Sequence, residues 1–245
     1  MDDLEPERFA AMVAPAISRV HSNMNDRTRA EGGRDLVQRQ AIPHVPLLLT
    51  LRFVLPRGPL ERAAFPLAAR YDPPEGVLAA VDELVAGGWL APADAGLVPD
   101  QRVLGFLDEL YDLQARVTGA VWPADLRWPA DVAWLAETTN ALLAAAADTG
   151  GPAFTAFAPP YERPGDPPGL LLFNRLAALR YHRSDAHAAA WSARGVSAGE
   201  VQALAADSAL REEIEADTNR RAAPPFAVLT EADRLTYLAG LAALR

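Results

Sequence analysis

The sequence predicts a mainly α-helical protein that carries one small β-hairpin. Half of the 245 residues are hydrophobic, which is enough material for a sizeable core. Apolar residues recur every three or four positions along most segments, and this is the period of an amphipathic helix. One short turn, APADAG, separates the apolar pairs Trp89-Leu90 and Leu97-Val98, a pattern typical of a two-stranded hairpin.

The composition excludes several kinds of site and partner. The chain has no cysteine, so disulfides, thiolate metal ligands and cysteine nucleophiles are excluded. Its formal net charge of -9 disfavours tight DNA binding, because much of that affinity comes from neutralising phosphates. No apolar run approaches the roughly 20 residues of a membrane helix, and the N-terminus opens with acids instead of a basic signal-peptide start. We therefore expect a cytoplasmic protein with no membrane partner.

The chain divides into four predicted parts. Residues 1–44 form an N-terminal helix and a polar arm, 45–120 a first domain, 121–169 a helical connector with a Pro-rich segment, and 170–245 a second helical domain. The polar arm is predicted either as a solvated loop or helix end, or as a basic arm that contacts phosphate or a partner. The Pro-rich segment, 153–169, is too aromatic for a free linker, so we expect it against the core or over a pocket as a lid.

Residues 45–120 present a recognisable order of elements. Helices are predicted over 60–71 and 75–86, the hairpin follows, and Asp100 is placed to cap a long helix after it. The run VDELVAGGWLAPADAGLVPDQRVLGFLDELYDL resembles the winged-helix domains of the multiple-antibiotic-resistance-regulator (MarR) type. The resemblance implies a winged-helix domain that acts in transcription regulation by binding DNA, and a homodimer held by terminal helices.

The helix before the wing lacks the usual chemistry of a DNA reader. In winged-helix families this helix enters the major groove. Here its polar face offers Glu75, Asp82 and Glu83, whereas base readout prefers Arg, Asn and Gln, and carboxylates repel phosphate. The domain is therefore expected either to bind DNA weakly or to have kept the winged-helix fold without the ability to bind DNA.

The second half holds the densest group of ionisable side chains. The stretch LRYHRSDAHAAAW resembles a family of actinobacterial helix-turn-helix-like proteins of mostly unassigned function, and the later run EIEADTNRRAAPPF matches the same family. The resemblance implies a shared fold and a shared pocket. Helices over 170–181, 184–193, 197–206 and 208–221, with a turn at Gly195, also suggest a second, eroded winged helix. The matching positions, our candidate ligand-binding residues, are His182, Arg183, Asp185, His187, Glu215, Thr218 and Asn219.

Helical spacing separates the cluster into two pairs. His182 and Asp185 are three residues apart and share one face, while Arg183 and His187 are four apart and share another. The two histidines diverge by about 140° round a helix, so we expect no metal site unless the helix breaks near Ser184. His182 and Asp185 are predicted to form a buried polar pair that locks two helices together, with Glu215, Thr218 or Asn219 as partners. The alternatives are a functional pocket that uses His182 or His187 with Asp185 as the orienting carboxylate, and a surface cluster.

Two functions from different classes are compatible with these patterns. The first is a winged-helix regulator. The second is a small-molecule-binding protein or enzyme with a pocket between the halves, around the His-Arg-x-Asp-x-His segment. A scaffold without chemistry is a third. No motif indicates a particular reaction or cofactor, and the C-terminal helix that begins after Thr230 is expected to pack on the body or on a second copy.

Overall fold

A computed structural model of the chain describes residues 4–40, 42–123, 126 and 131–244. Its 72% helix content, with one two-stranded antiparallel sheet, confirms the prediction of a mainly α protein with a small hairpin. The elements are α1 Pro6–Thr28, α2 Arg34–Gln40, α3 Val45–Thr50, α4 Phe65–Ala68, α5 Pro74–Ala86, β1 Leu90–Ala93, β2 Gly96–Pro99, α6 Gln101–Val121, α7 Val132–Ala145, α8 Pro152–Phe157, α9 Pro168–Ser192, α10 Ala198–Ala203, α11 Ala209–Ala222 and α12 Glu231–Ala243.

The N-terminal helix is longer than predicted. Helix α1 continues through most of the polar segment because Val20, Met24 and Thr28, spaced by four, extend its buried stripe. A kinked turn, Arg29–Gly33, then leads into α2, and Gly32 supplies the positive φ of 127° at the kink. Most of the polar segment is therefore helical, which agrees with the predicted helix end and not with the predicted loop.

The hairpin lies between α5 and α6, as the sequence predicts. Leu90 pairs with Pro99 and Ala93 with Gly96. Asp100 caps α6 by accepting hydrogen bonds from the backbone N–H groups of Arg102 and Val103, at 3.0 and 3.1 Å. A further antiparallel bridge joins Leu97 to Leu60, so the hairpin is extended by one short segment from the preceding part of the chain.

Gly96 is required where this bridge meets the hairpin turn. Its φ is 140°, and a Cβ built on it would lie 2.4 Å from the carbonyl oxygen of Leu60. We expect Gly96→Ala to lower the free energy of unfolding by about 1–3 kcal/mol or more, because strain and a backbone clash add together. Chemical denaturation measures this. Gly76→Ala is the control: its Cβ would meet nothing within 4 Å, so a gain of up to about 1 kcal/mol is expected. Equal effects of the two changes would contradict the prediction.

The Pro-rich segment lies against the core. Phe154 and Phe157 of α8 are buried, and the Phe157 ring packs 4.6 Å from that of Tyr181. Farther along, the backbone N–H of Tyr161 donates to the carbonyl of Phe53 at 2.7 Å. These contacts match the first of the two alternatives for this segment, packing on the core.

Helix α9 is the central element of the second half. It runs without a break over Pro168–Ser192, so the separate helices predicted over 170–181 and 184–193 are one, and Ser184 interrupts nothing. It packs against α1, α6, α7, α8 and α11. A turn at Gly195, with φ of 68°, leads to α10, which Ser197 caps together with Glu200.

One hydrophobic core draws on both halves of the chain. It includes Leu107, Leu172 and Tyr237, and a small second cluster lies between the end of α9, α10 and α11. Thr230 caps α12, whose Tyr237 and Leu241 are buried, so α12 packs on the body of the protein. Within the described ranges, no helix combines the length and apolarity needed to cross a membrane.

Candidate functional site

A cavity of about 960 Å³ lies between α1 and α9. Helices α2 and α3, the stretch 67–72, and parts of α6 and α11 complete its wall. This volume is typical of pockets for small organic ligands, which span roughly 300–1,000 Å³. The apolar part of the wall includes Val13, Ile17, Leu36, Leu49, Phe53 and Leu110.

Four of the seven predicted site residues line this cavity, and three do not. Those in the wall are His182, Arg183, His187 and Glu215. The remaining three, Asp185, Thr218 and Asn219, lie outside the lining, although each has a defined structural contact. Thr218 is 1% exposed and donates to the carbonyl of Ile214 at 2.7 Å, so it serves helix packing within α11.

On one face of α9, the side chains of Arg183 and His187 both approach Glu215 of α11. Arg183 Nη2 donates to Glu215 Oε2 at 3.0 Å, and Arg183 Nη1 donates to Asn219 Oδ1 at 2.8 Å. His187 Nε2 lies 3.7 Å from Glu215 Oε1, and His187 Nδ1 lies 2.8 Å from the hydroxyl of Tyr71. Asn219, which lies outside the cavity lining, thus orients the Arg183 side chain.

The other face of α9 has a structural role. His182 and Asp185 are both buried, as the first alternative predicted, but their partners are Thr149, Arg70 and the start of α8 and not Glu215, Thr218 or Asn219. His182 Nε2 lies 2.9 Å from the hydroxyl of Thr149. Asp185 forms an ion pair with Arg70 and accepts hydrogen bonds from the first turn of α8.

Asp185 caps α8 through two backbone N–H groups. Its Oδ1 accepts from Ala153 at 3.2 Å and its Oδ2 from Phe154 at 2.8 Å. A Cβ on Gly151 would lie 2.8 Å from the Asp185 side chain, so glycine permits this close approach. The carboxylate therefore anchors the α7–α8 connection onto α9, and it reaches the cavity only through Arg70, which lines it.

The N-terminal helix contributes polar residues that the sequence analysis missed. Arg180 of α9 places Nη1 2.8 Å from His21 Nδ1, and Asn25 Nδ2 lies 3.1 Å from the same nitrogen. The His21 ring stacks on Phe173, with centroids 5.1 Å apart. Burial, together with the charges of Arg180 and Arg52, holds the pKa of His21 well below its usual range. His21 follows Ile17 by four positions, and this spacing was the available signal.

Arg52 is the most deeply buried cation in the wall. It is 4% exposed and lies over the rings of Phe53 and Phe173, 5.2 and 4.9 Å from their centroids. Its Nη1 donates to the carbonyl of Leu49 at 3.0 Å, and its Nη2 donates to Asn174 Oδ1 at 3.2 Å. No ion pair to Arg52 or to Arg180 is formed within the described part of the chain. Burial lowers the pKa of the Arg52 guanidinium.

Unsatisfied buried atoms are concentrated at this cavity. Across the described residues, five buried side-chain atoms make no hydrogen bond, whereas buried polar groups in proteins are normally paired. Four of the five belong to residues that line the cavity. They are Thr28 Oγ1, Arg52 Nε, Arg70 Nε and Gln114 Oε1.

The three histidines of the wall predict a pH-dependent stability. Burial lowers the pKa of His21, His182 and His187 in the folded state. As the pH falls through about 6.5, the unfolded chain therefore binds more protons than the folded protein does, and the folded state loses stability. The urea midpoint is expected to be lower at about pH 5.5 than at about pH 7.5, and His182→Gln should reduce the difference. Equal midpoints would mean that the folded state binds these protons as readily as the unfolded chain.

Metal ligation has no support in the described geometry. The unbroken α9 directs His182 towards α8 and His187 towards Tyr71 and Glu215. Over residues 4–40, 42–123, 126 and 131–244, no group of three or more histidine and carboxylate side chains is arranged to hold a metal ion.

Comparison of this chain with protein-family models, curated proteins and solved structures gives no match. The MarR-type and actinobacterial resemblances therefore stay predictions that depend on the residues quoted for them.

Proposed function

We propose that this protein binds a small organic molecule in the cavity between α1 and α9. One observation carries the proposal: of the five unsatisfied buried polar atoms among the described residues, four belong to residues that line this largely apolar cavity. Such sites combine hydrophobic surface with a few convergent polar groups that fix a ligand's orientation. Tyr71, His187 and Glu215 supply further hydrogen-bonding groups at one side.

Filling the cavity tests this proposal. Ala14 of α1 lines the cavity, so Ala14→Trp should occupy the space in which a ligand lies. Ala11→Trp adds the same side chain to an exposed position of α1 outside the lining and is the matched control. Binding is followed with phenylnaphthylamine, a neutral probe that fluoresces in apolar surroundings. We expect Ala14→Trp to weaken its affinity by about tenfold or more.

Circular dichroism establishes that both tryptophan variants are folded. Tight probe binding to the parent and to Ala11→Trp, with loss in Ala14→Trp, would support the cavity as the binding site. Equal affinities in all three proteins, or no binding to the parent, would sink the proposal.

We infer a winged-helix regulator as the second candidate. The observation that favours it is the bridge between Leu60 and Leu97, which sets a third short strand segment beside the hairpin between α5 and α6. Two of the acids on α5 also have basic partners. Arg62 Nη2 lies 2.7 Å from Asp82 Oδ1, and His44 Nε2 lies 2.8 Å from Glu83 Oε2. Arg62 thereby offsets one negative charge of the acidic helix, and the cavity would then be the effector site of the regulator.

A gel shift tests the second candidate. The protein is titrated onto the duplex upstream of its own coding sequence at about 50 and about 200 mM salt. A complex that weakens at the higher salt is expected of a regulator, and a homodimer detected by light scattering would fit two half-sites. Absence of any complex at the lower salt, with folded protein, would exclude DNA of that region as the partner.

A further inference from the structure

We propose that the ligand of this cavity is an organic anion whose oxyanion head, a carboxylate or a phosphate, lies against Arg52, Arg180 and His21. Its apolar body would lie along the faces of α1 and α3 that line the same space. This inference rests on the proposed ligand-binding function and names the chemical class of the ligand.

The charge of the cavity is opposite to that of the chain. Acidic residues outnumber arginines 32 to 23 in the whole sequence, and the formal net charge is -9. The cavity wall reverses this ratio, with six arginines and two carboxylates. A concave site lined by one sign of charge attracts ligands of the opposite sign. The wall therefore favours anions in a protein that otherwise repels them.

Three of those arginines form no ion pair within the described residues. Asp185 pairs with Arg70, and Glu215 pairs with Arg183. Arg29 pairs with Asp26, and the unpaired Arg34 lies on α2. The other two unpaired arginines, Arg52 and Arg180, both lie close enough to His21 to lower its pKa. Within the described residues these two form no ion pair, so their positive charges remain available to a bound group.

Arg52 supplies the strongest argument. Burying an unpaired ion is strongly unfavourable, and buried charges are normally paired. Arg52 is 96% buried, since its exposed fraction is 4%, and its Nε is one of the unsatisfied atoms. Its neutral contacts, the Leu49 carbonyl and the Asn174 side chain, engage Nη1 and Nη2. An oxyanion in the cavity would provide the missing counter-charge.

Arg180 and His21 complete the head-group site. For Arg180 Nη1 to donate to His21 Nδ1, that nitrogen must be unprotonated, so His21 is neutral and leaves the charge of Arg180 uncompensated. Arg180 is exposed to solvent and lines the cavity, so its guanidinium can reach a ligand. Guanidinium groups bind carboxylate and phosphate through paired, charge-assisted hydrogen bonds.

The apolar wall indicates an amphipathic ligand and not a bare ion. Val13, Ile17, Leu49, Phe53 and Leu67 line the same cavity. A volume of about 960 Å³ far exceeds that of a free phosphate and suits an aromatic or aliphatic body with one acidic end. The ligand class is therefore an acid with a hydrophobic part.

Two probes that differ only in an oxyanion distinguish the contribution of the ligand's charged head from that of its apolar body. Anilinonaphthalene sulfonate carries an oxyanion, and phenylnaphthylamine has the same aromatic framework without it. We expect the parent protein to bind the sulfonate at least about tenfold more tightly. Arg180→Gln should weaken sulfonate binding about tenfold or more and leave phenylnaphthylamine within about twofold. Arg52→Gln should act in the same direction. Arg8→Gln, at an exposed position of α1 outside the cavity, is the charge-matched control.

The outcomes distinguish this inference from the proposed function. If Arg180→Gln leaves sulfonate binding unchanged, or if Arg8→Gln weakens it equally, the head-group site is overturned while phenylnaphthylamine binding still supports the cavity. If neither probe binds the parent, both proposals fail. Should Arg52→Gln not fold, Arg180→Gln decides alone. Displacement of phenylnaphthylamine by decanoate or decyl phosphate, but not by decanol, would support the anion and show which head is preferred.

Discussion

Replacing Asp185 with alanine is expected to lower the free energy of unfolding by about 3–5 kcal/mol. The carboxylate is 8% exposed and is the ion-pair partner of Arg70, whose side chain is itself largely buried. The change leaves that guanidinium without its counter-charge. It also removes the acceptor of two N–H groups at the start of α8, those of Ala153 and Phe154. Guanidinium chloride denaturation measures the loss.

Two companion variants define what Asp185 does. Asp207→Ala removes an exposed carboxylate between α10 and α11 and should leave stability unchanged. Asp185→Asn keeps the shape of the side chain and removes its charge, so its loss of stability should lie between those of Asp207→Ala and Asp185→Ala. A stable Asp185→Ala protein that no longer binds phenylnaphthylamine would contradict this account and place Asp185 in the site itself.

Replacing Arg175 with methionine should lower the free energy of unfolding by about 1.5–3 kcal/mol, less than Asp185→Ala because the carboxylates left behind can reach water. Arg175 is 6% exposed and holds three parts of the chain together. Its Nε and Nη2 donate to the two carboxylate oxygens of Glu162 in the Pro-rich segment, at 2.7 and 2.9 Å. Its Nη1 donates to Glu137 Oε1 at 2.9 Å and to the carbonyl of Ala136 at 3.0 Å, both in α7. Methionine keeps the packing volume and removes every one of these bonds.

Arg220→Met is the control for this second prediction. Arg220 bonds Asp217 at 2.6 Å, but 61% of its side chain is exposed, so water screens the pair and its loss should cost much less. Urea denaturation of both variants gives the comparison. Similar small losses would mean that the Pro-rich segment is held by its buried phenylalanines and not by the Arg175 network.

Local signals account for the parts of the fold that the sequence predicted. The hairpin, the Asp100 cap of α6 and the Thr230 cap of α12 each depend on residues within a few positions of one another. The length of α1 was missed because its second half is polar on all but one narrow face. The unbroken α9 was missed because the polar residues around Ser184 resemble a helix start, whereas burial on both sides of that point holds one helix together.

Local signals in the sequence account for much less of the candidate site than of the fold. The spacing of Arg183 and His187 predicted that they share a face, and Glu215 meets both. The positively charged end of the cavity depends on contacts between distant segments. His21 and Arg180 are 159 positions apart, and Arg52 and Asn174 are 122 apart. Periodicity within one segment carries no information on such pairs, so the anion site becomes visible only in three dimensions.

Trp191 gives the chain a built-in optical reporter. Its ring lies 4.8 Å from that of His187 and 5.6 Å from that of Tyr71, measured between centroids, and both neighbours line the cavity. An indole at this distance from an imidazole changes its emission when the ring moves or gains a proton. Occupancy of the cavity should therefore be readable from tryptophan fluorescence, without any label, and Trp191→Phe would identify the source of the signal.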